Sequence, residues 1–96
     1  MNDLTATLQH LKAEIHERLA ELKTERDELR VRLHLAKAEV QQEWDKAEAQ
    51  WAQFQVKSEA LGKCVGAAGR DVATAARLLG DEIHRAYRKI RNALSR

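Results

Sequence analysis

Two short stretches hold the residue types that could do chemistry. Cys64 follows Lys63 within "LGKCVGAAGR", residues 61–70. A thiol beside a cation near a helix start ionises more readily than a free one. No histidine stands near it in sequence to act as a base, so the favoured reading is a small side chain at a bend. Asp81 and His84 stand three apart, half of the carboxylate–histidine pattern of metal sites in helical bundles. A helix folded back on itself would set Glu43 opposite His84, but a two-metal site needs a second such pair, and the expected role is a surface contact. His10, Glu14 and His16 share no tight helical face and read as solvated. Trp44 and Trp51, seven apart, have the spacing of a ligand clamp, although aromatics on an apolar stripe more often pack a core. Phosphate-binding loops, dinucleotide fingerprints and zinc spacings are all missing from the sequence, since "GAAGR" lacks the strand and lysine such loops require. These residues name no catalytic or metal site and no cofactor, and the expectation is a protein that is not an enzyme.

The elements that carry these residues are helices. Of 96 residues, 44% are hydrophobic, 33% charged and 4% aromatic, with no proline. That mix suits long helices better than a sheet. From Leu8, steps of three and four reach Leu11, Ile15, Leu19, Leu22, Arg26, Leu29, Leu33, Ala36, Val40, Trp44, Ala47, Trp51, Phe54, Ser58 and Leu61. The same stepping continues through Val65 and Ala68 to Val72, Ala76, Leu79, Ile83, Tyr87, Ile90 and Leu94. Arg26 and Ser58 are the two polar members. Such a stripe lets an amphipathic helix bury one side.

Gly62, Gly66 and Gly69 interrupt the pattern. Each glycine costs roughly 1 kcal/mol against alanine inside a helix, so the three disfavour an unbroken rod by about 3 kcal/mol. A reversal is therefore expected, with helix 1 over 3–61, a glycine-rich turn over 62–66 (Gly62, Lys63, Cys64, Gly66) and helix 2 over 67–94. The fold class is all-α, a long antiparallel hairpin forming a single helical domain over 1–96. Folded about Lys63 and Cys64, residues whose numbers sum to about 127 face each other. Trp44 then meets Ile83 and Val40 meets Tyr87. The hairpin core comprises Val40, Trp44, Ala47, Trp51, Phe54, Val72, Ala76, Leu79, Ile83 and Tyr87.

A first helix twice as long as the second leaves residues 1–30 overhanging. Leu8, Leu11, Ile15, Leu19, Leu22 and Leu29 line that arm, and each buried leucine contributes about 1.5–3 kcal/mol. Left wet they would aggregate, so the arm is expected to pair with a second copy in a homodimer. A break near "KTERDELR", giving three helices in one chain, is the alternative, although those residues are good helix formers.

The segments "EWDKAEAQWAQFQVKSEALGKCVGAAG" and "ARLLGDEIHRAYRKIRNAL" carry a resemblance. A long charged amphipathic helix, a Trp-bearing segment, a small-residue junction and a second amphipathic helix resemble the small coiled-coil stress-response proteins of cyanobacteria and proteobacteria. The resemblance covers most of the chain and implies an intracellular helical protein linked to stress, with no catalytic residues to carry over.

Charge supplies the remaining functional lead. The net charge is +2, yet residues 1–60 hold nine Lys/Arg against twelve Asp/Glu and residues 70–96 hold seven against three. In helix 2, Arg85, Arg88, Lys89 and Arg91 flank the apolar stripe as candidate contacts to an anionic surface. Cations also suit the carboxyl end of any helix through its macrodipole. The expected function is a helical self-association or protein-interaction module. Binding to a lipid or granule surface is the alternative, and association with nucleic acid a second. One cysteine, no signal-peptide run and no stretch able to span a bilayer lead to the expectation of a cytoplasmic protein.

Overall fold

The computed structural model describes residues 2–64 and 66–95, with side chains from Thr7 onward. Helix α1 spans Asn2–Arg32, α2 spans Ala38–Lys63 and α3 spans Gly66–Leu94, with a 3-10 turn at Leu33–Leu35 between the first two. The helices lie side by side in a body 52 × 17 × 16 Å. Because α1 and α3 run the same way and α2 runs against both, Leu8 reaches Gly69 near one end and Arg91 approaches Glu28 near the other.

The continuous helix expected over 3–61 is corrected here. Arg32 is followed by one 3-10 turn, then by extended backbone at Ala36 (φ −83, ψ 150) and Lys37 (φ −66, ψ 159). Local propensity does not place this break, since "KTERDELR" stays helical and neither glycine nor proline stands at 33–37. Packing places it. The break gives helices of 31, 26 and 29 residues, so each covers the full length of its neighbours.

Folding back also removes the overhang. Leu8, Ile15, Leu22 and Leu29 are buried and Leu11 and Leu19 half-buried, all in one core with the hairpin residues. The six residues read as a dimer arm are thus covered within their own chain. An uncovered arm no longer argues for a second copy. Burying four such side chains contributes on the order of 6–12 kcal/mol, which outweighs the few helical hydrogen bonds lost at the break, each net about 1 kcal/mol.

Of the expected hairpin core, Trp44, Ala47, Trp51, Phe54, Ala76, Ile83 and Tyr87 are buried, and Val40, Val72 and Leu79 are half-buried. The register differs from the expected one. Trp44 stacks on Tyr87 with centroids 6.0 Å apart, Gln50 Nε2 donates to Glu82, and Phe54 meets Gly80. Facing residues therefore have numbers that sum to about 132, roughly one helical turn beyond the pairing centred on Lys63 and Cys64. The shift follows from which glycine makes the turn: α2 continues through Gly62 to Lys63, and Gly66 is the glycine with positive φ, at 65°. Gly69 and Gly80 lie within α3 as points of close approach. A Cβ at Gly69 would stand 3.0 Å from Leu8 Cδ2, and one at Gly80 would stand 3.2 Å from Arg18 Cγ and 3.3 Å from Phe54 Cε1. From α1, Lys12 Nζ donates to the carbonyl of Cys64 at 3.1 Å, tying the turn to the first helix.

The glycines should respond in opposite directions to alanine. Gly62 lies in α2 with open space around it, so Gly62→Ala should raise stability by up to about 1 kcal/mol in urea unfolding. Gly66→Ala should lower it by about 1–2 kcal/mol, because alanine resists the left-handed backbone. A stabilised Gly66→Ala protein would overturn this account of the turn.

Candidate functional site

The bundle's polar groups concentrate along the seam where α1 lies on the hairpin. Arg26, a polar interruption of the apolar stripe, is the centre of it. Its Nε and Nη2 donate to the two carboxylate oxygens of Glu48 on α2 at 2.6 and 2.8 Å, and its guanidinium stands 5.6 Å from the centre of the Trp51 ring. A forked, charge-assisted pair of this kind fixes orientation more firmly than a lysine could, and the aromatic face adds a cation–π attraction. The hydrogen bond to Glu48 pushes the guanidinium pKa further up.

Beside this pair the seam is only partly satisfied. Tyr87, completely buried, sends its hydroxyl into the core without a hydrogen-bond partner, and burial raises its pKa well above the usual phenol range. Glu25 Oε1 faces His84 Nδ1 at 3.5 Å without hydrogen-bond geometry, while Glu25 Oε2 is buried and unpartnered. One turn earlier on α3, Asp81 accepts a 2.9 Å bond from Arg18 Nη2. Ser58, the second polar interruption, has a buried hydroxyl without a partner. It lines a cleft of ≈ 490 Å³ between α1 and α2 with Lys12, His16 and Leu61, and a second cleft of ≈ 370 Å³ opens between Arg18, Arg77 and Asp81.

The contact expected of His84 is made with a glutamate other than Glu43. Asp81 serves Arg18 and His84 faces Glu25, while the shifted register sets Glu43 beside Lys46 and Lys89. Among the described residues, no group of three or more His, Cys, Asp or Glu side chains could hold a metal ion. Trp44 and Trp51 are both buried, stacked on Tyr87 and packed against Phe54, and so do not form an open clamp. Cys64 is a half-buried free thiol, while Lys63, His10, Glu14 and His16 are exposed. Of the turn residues, Gly62 and Gly66 are exposed too. Arg85, Arg88 and Lys89 are exposed on α3, and Arg91 is half-buried with Nη2 3.8 Å from Glu28.

Sequence reasoning did not single out Glu48 or Glu25, and the spacing of Glu14 and Arg18 points to a pair on the exposed side, whereas Arg18 bonds Asp81 across helices. The available signal was Arg26 in the middle of an apolar stripe, since a charge there needs a partner. Comparison of the chain with family models, with curated proteins and with solved structures finds no match. No described helix is long and apolar enough to cross a membrane.

Two measurements test the seam. Arg26→Ala should cost about 2–3 kcal/mol in urea unfolding by stranding Glu48 and uncovering Trp51, whereas changing both Arg26 and Glu48 should cost less than the sum of the single changes. Tyr87 is the chain's one tyrosine, so ultraviolet titration reads it alone. Its folded pKa is raised, so the stability that goes with the neutral phenol is complete below the unfolded value near ~10 and is lost as pH climbs beyond it. Tyr87→Phe should flatten that alkaline decline; an unchanged decline would show that another group causes it.

Proposed function

We propose that this chain is a non-catalytic helical interaction module whose first helix is exchangeable, released from its own hairpin to take the same place on a second copy or to yield to a partner's helix. The observation that carries this reading is the α1–α2 connection. Its extended residues Ala36 and Lys37 interrupt a run in which Leu29, Leu33, Ala36 and Val40 keep helical spacing, and neither Arg32 nor Lys37 gives its helix a side-chain cap. The same residues therefore suit a straightened helix, and a short hinge of this kind is a low-cost route to helix exchange.

The seam supports the same reading. Glu25 Oε2, His84 Nδ1 and Tyr87 OH are buried without hydrogen-bond partners, so α1 sits on the hairpin with unmet polar groups. Such groups each cost about 1–3 kcal/mol where they stay unsatisfied, which lowers the barrier to replacing α1. The charge-bearing side chains Arg18, Glu25, Arg26, Glu48, Asp81 and His84 face one another across helices, a pattern that aligns helices. The sequence's resemblance to small coiled-coil stress-response proteins points the same way, and a cytoplasmic setting belongs to the same proposal.

Lys37→Pro separates the closed and straightened states. Proline fits φ −66 at Lys37, and Ala36 before it is already extended. In a straight helix it costs about 3 kcal/mol. Sedimentation over a wide concentration range should show a dimer in the parent chain and a dissociation constant at least a hundredfold weaker in Lys37→Pro, with thermal stability equal or higher. A parent chain that stays monomeric at millimolar concentration rules out self-association. Equal dimerisation of both proteins rules out exchange through the hinge.

A further inference from the structure

The end of the bundle that carries the α1–α2 connection differs from the rest of the surface in two independent ways. One is charge. Residues 22–47 and 85–95, level with one another at that end, hold ten Lys/Arg against six Asp/Glu, while the remainder of the chain holds seven against nine. Arg30, Arg32, Lys37, Arg88 and Lys89 are exposed there, and none is held in an ion pair among the described residues. The bundle is thus polarised along its 52 Å axis.

The other difference is apolar exposure. Leu35 is 81% exposed and Val31 71%, the two highest values among the large hydrophobic side chains described. They lie four residues apart at the cationic end, and Leu33 between them turns inward onto the core. A cleft of ≈ 400 Å³ beside Leu35 continues the apolar surface to Val40 and Leu94, with Arg32 and Lys37 on its rim.

We infer that this end of the bundle docks on an anionic lipid bilayer, with Leu35 and Val31 entering between the headgroups while the surrounding cations meet lipid phosphates and carboxylates. Charge complementarity selects the anionic surface, and the apolar pair selects lipid over nucleic acid. A phosphate backbone rewards the cations but offers nothing to a leucine raised among them, whereas a bilayer interface rewards both. The end face is only about 16–17 Å wide, so the bundle would stand on the surface by a small contact. Each cation close to an anionic leaflet strengthens binding by about fivefold, and burial of the exposed leucine by about tenfold or more. This contact involves a different face from the α1 seam and is made by the closed chain, in which residues 33–37 form the end of the bundle.

The test is flotation of the full chain with vesicles of phosphatidylcholine alone and of phosphatidylcholine containing about 30% phosphatidylserine. The parent chain should float with the anionic vesicles only, and less so as salt rises. Val31→Ser combined with Leu35→Ser should weaken that binding at least tenfold, and Arg32→Gln with Lys37→Gln and Lys89→Gln about a hundredfold. Val56→Ser with Leu78→Ser, at the exposed apolar residues elsewhere, should leave it unchanged. All these positions are exposed, so circular dichroism should show intact helices. Absence of binding to anionic vesicles would overturn the inference. Binding that survives the serine pair would also overturn it. So would duplex DNA that competes fully with the vesicles and is itself bound equally by the serine variant, because the cations would then serve a nucleic acid.

Discussion

Leu8, Ile15, Leu22 and Leu29 recur every seven residues along α1, and α3 lies beside them for its whole length to keep them from water. This requirement governs the rest of the structure. It bends the chain after Arg32, because a helix that ran on would carry those side chains past the end of α3. It also requires small residues on α3. Gly69, Ala73, Ala76 and Gly80 are buried in sequence-adjacent turns, which lets α1 approach on one side while Trp51 and Phe54 of α2 fill the other. Bulk against smallness is how facing helices reach interior density without voids.

The polar seam is the cost of assembling three helices from a stripe suited to two. An apolar face wide enough for one neighbour must serve two when α1 folds onto the hairpin, and Arg26 within the stripe and Arg18 and Glu25 beside it are drawn into half-buried positions. Arg26 is resolved by its two bonds to Glu48. Glu25 and Tyr87 are resolved less well, each keeping a buried oxygen without a partner. Buried charge pairs add little net stability but penalise every arrangement that separates them. The seam therefore sets α1's axial position more than its affinity.

Helical class, the reversal beside Cys64 and most of the hairpin's buried residues follow from periodicity and glycine content, both of which are local. Register and the first break are not. Three glycines near one another look equivalent in sequence, yet only a backbone shows that Gly66 takes the left-handed conformation and that Gly62 and Gly69 remain helical. At 33–37, "LHLAK" is made of residues that tolerate a helix, so tertiary packing overrides propensity there. A global clue did exist. A last helix of 29 residues is matched by two more of similar length only if the preceding chain breaks near its middle. Arg26 was visible as an anomaly, but Glu48 could be recognised as its partner only after that break had placed α1 against α2.

The connecting segment links both functional proposals, and they place opposite demands on it. Closed, residues 33–37 form the end of a 52 Å bundle and gather Leu35, Lys37 and Arg32 beside the cations of α3. Straightened, the same residues would lie midway along a helix of about 93 Å, and the compact cationic cap would be dispersed. A surface that engages the cap therefore favours the closed chain, while helix exchange uses the open one. Neither influence can shift the balance by more than its difference in affinity for the two forms. That balance is set by a segment without proline or glycine, which the Ala36 N–H on the Leu33 carbonyl and Gln41 Nε2 on the Ala36 carbonyl hold in its closed shape.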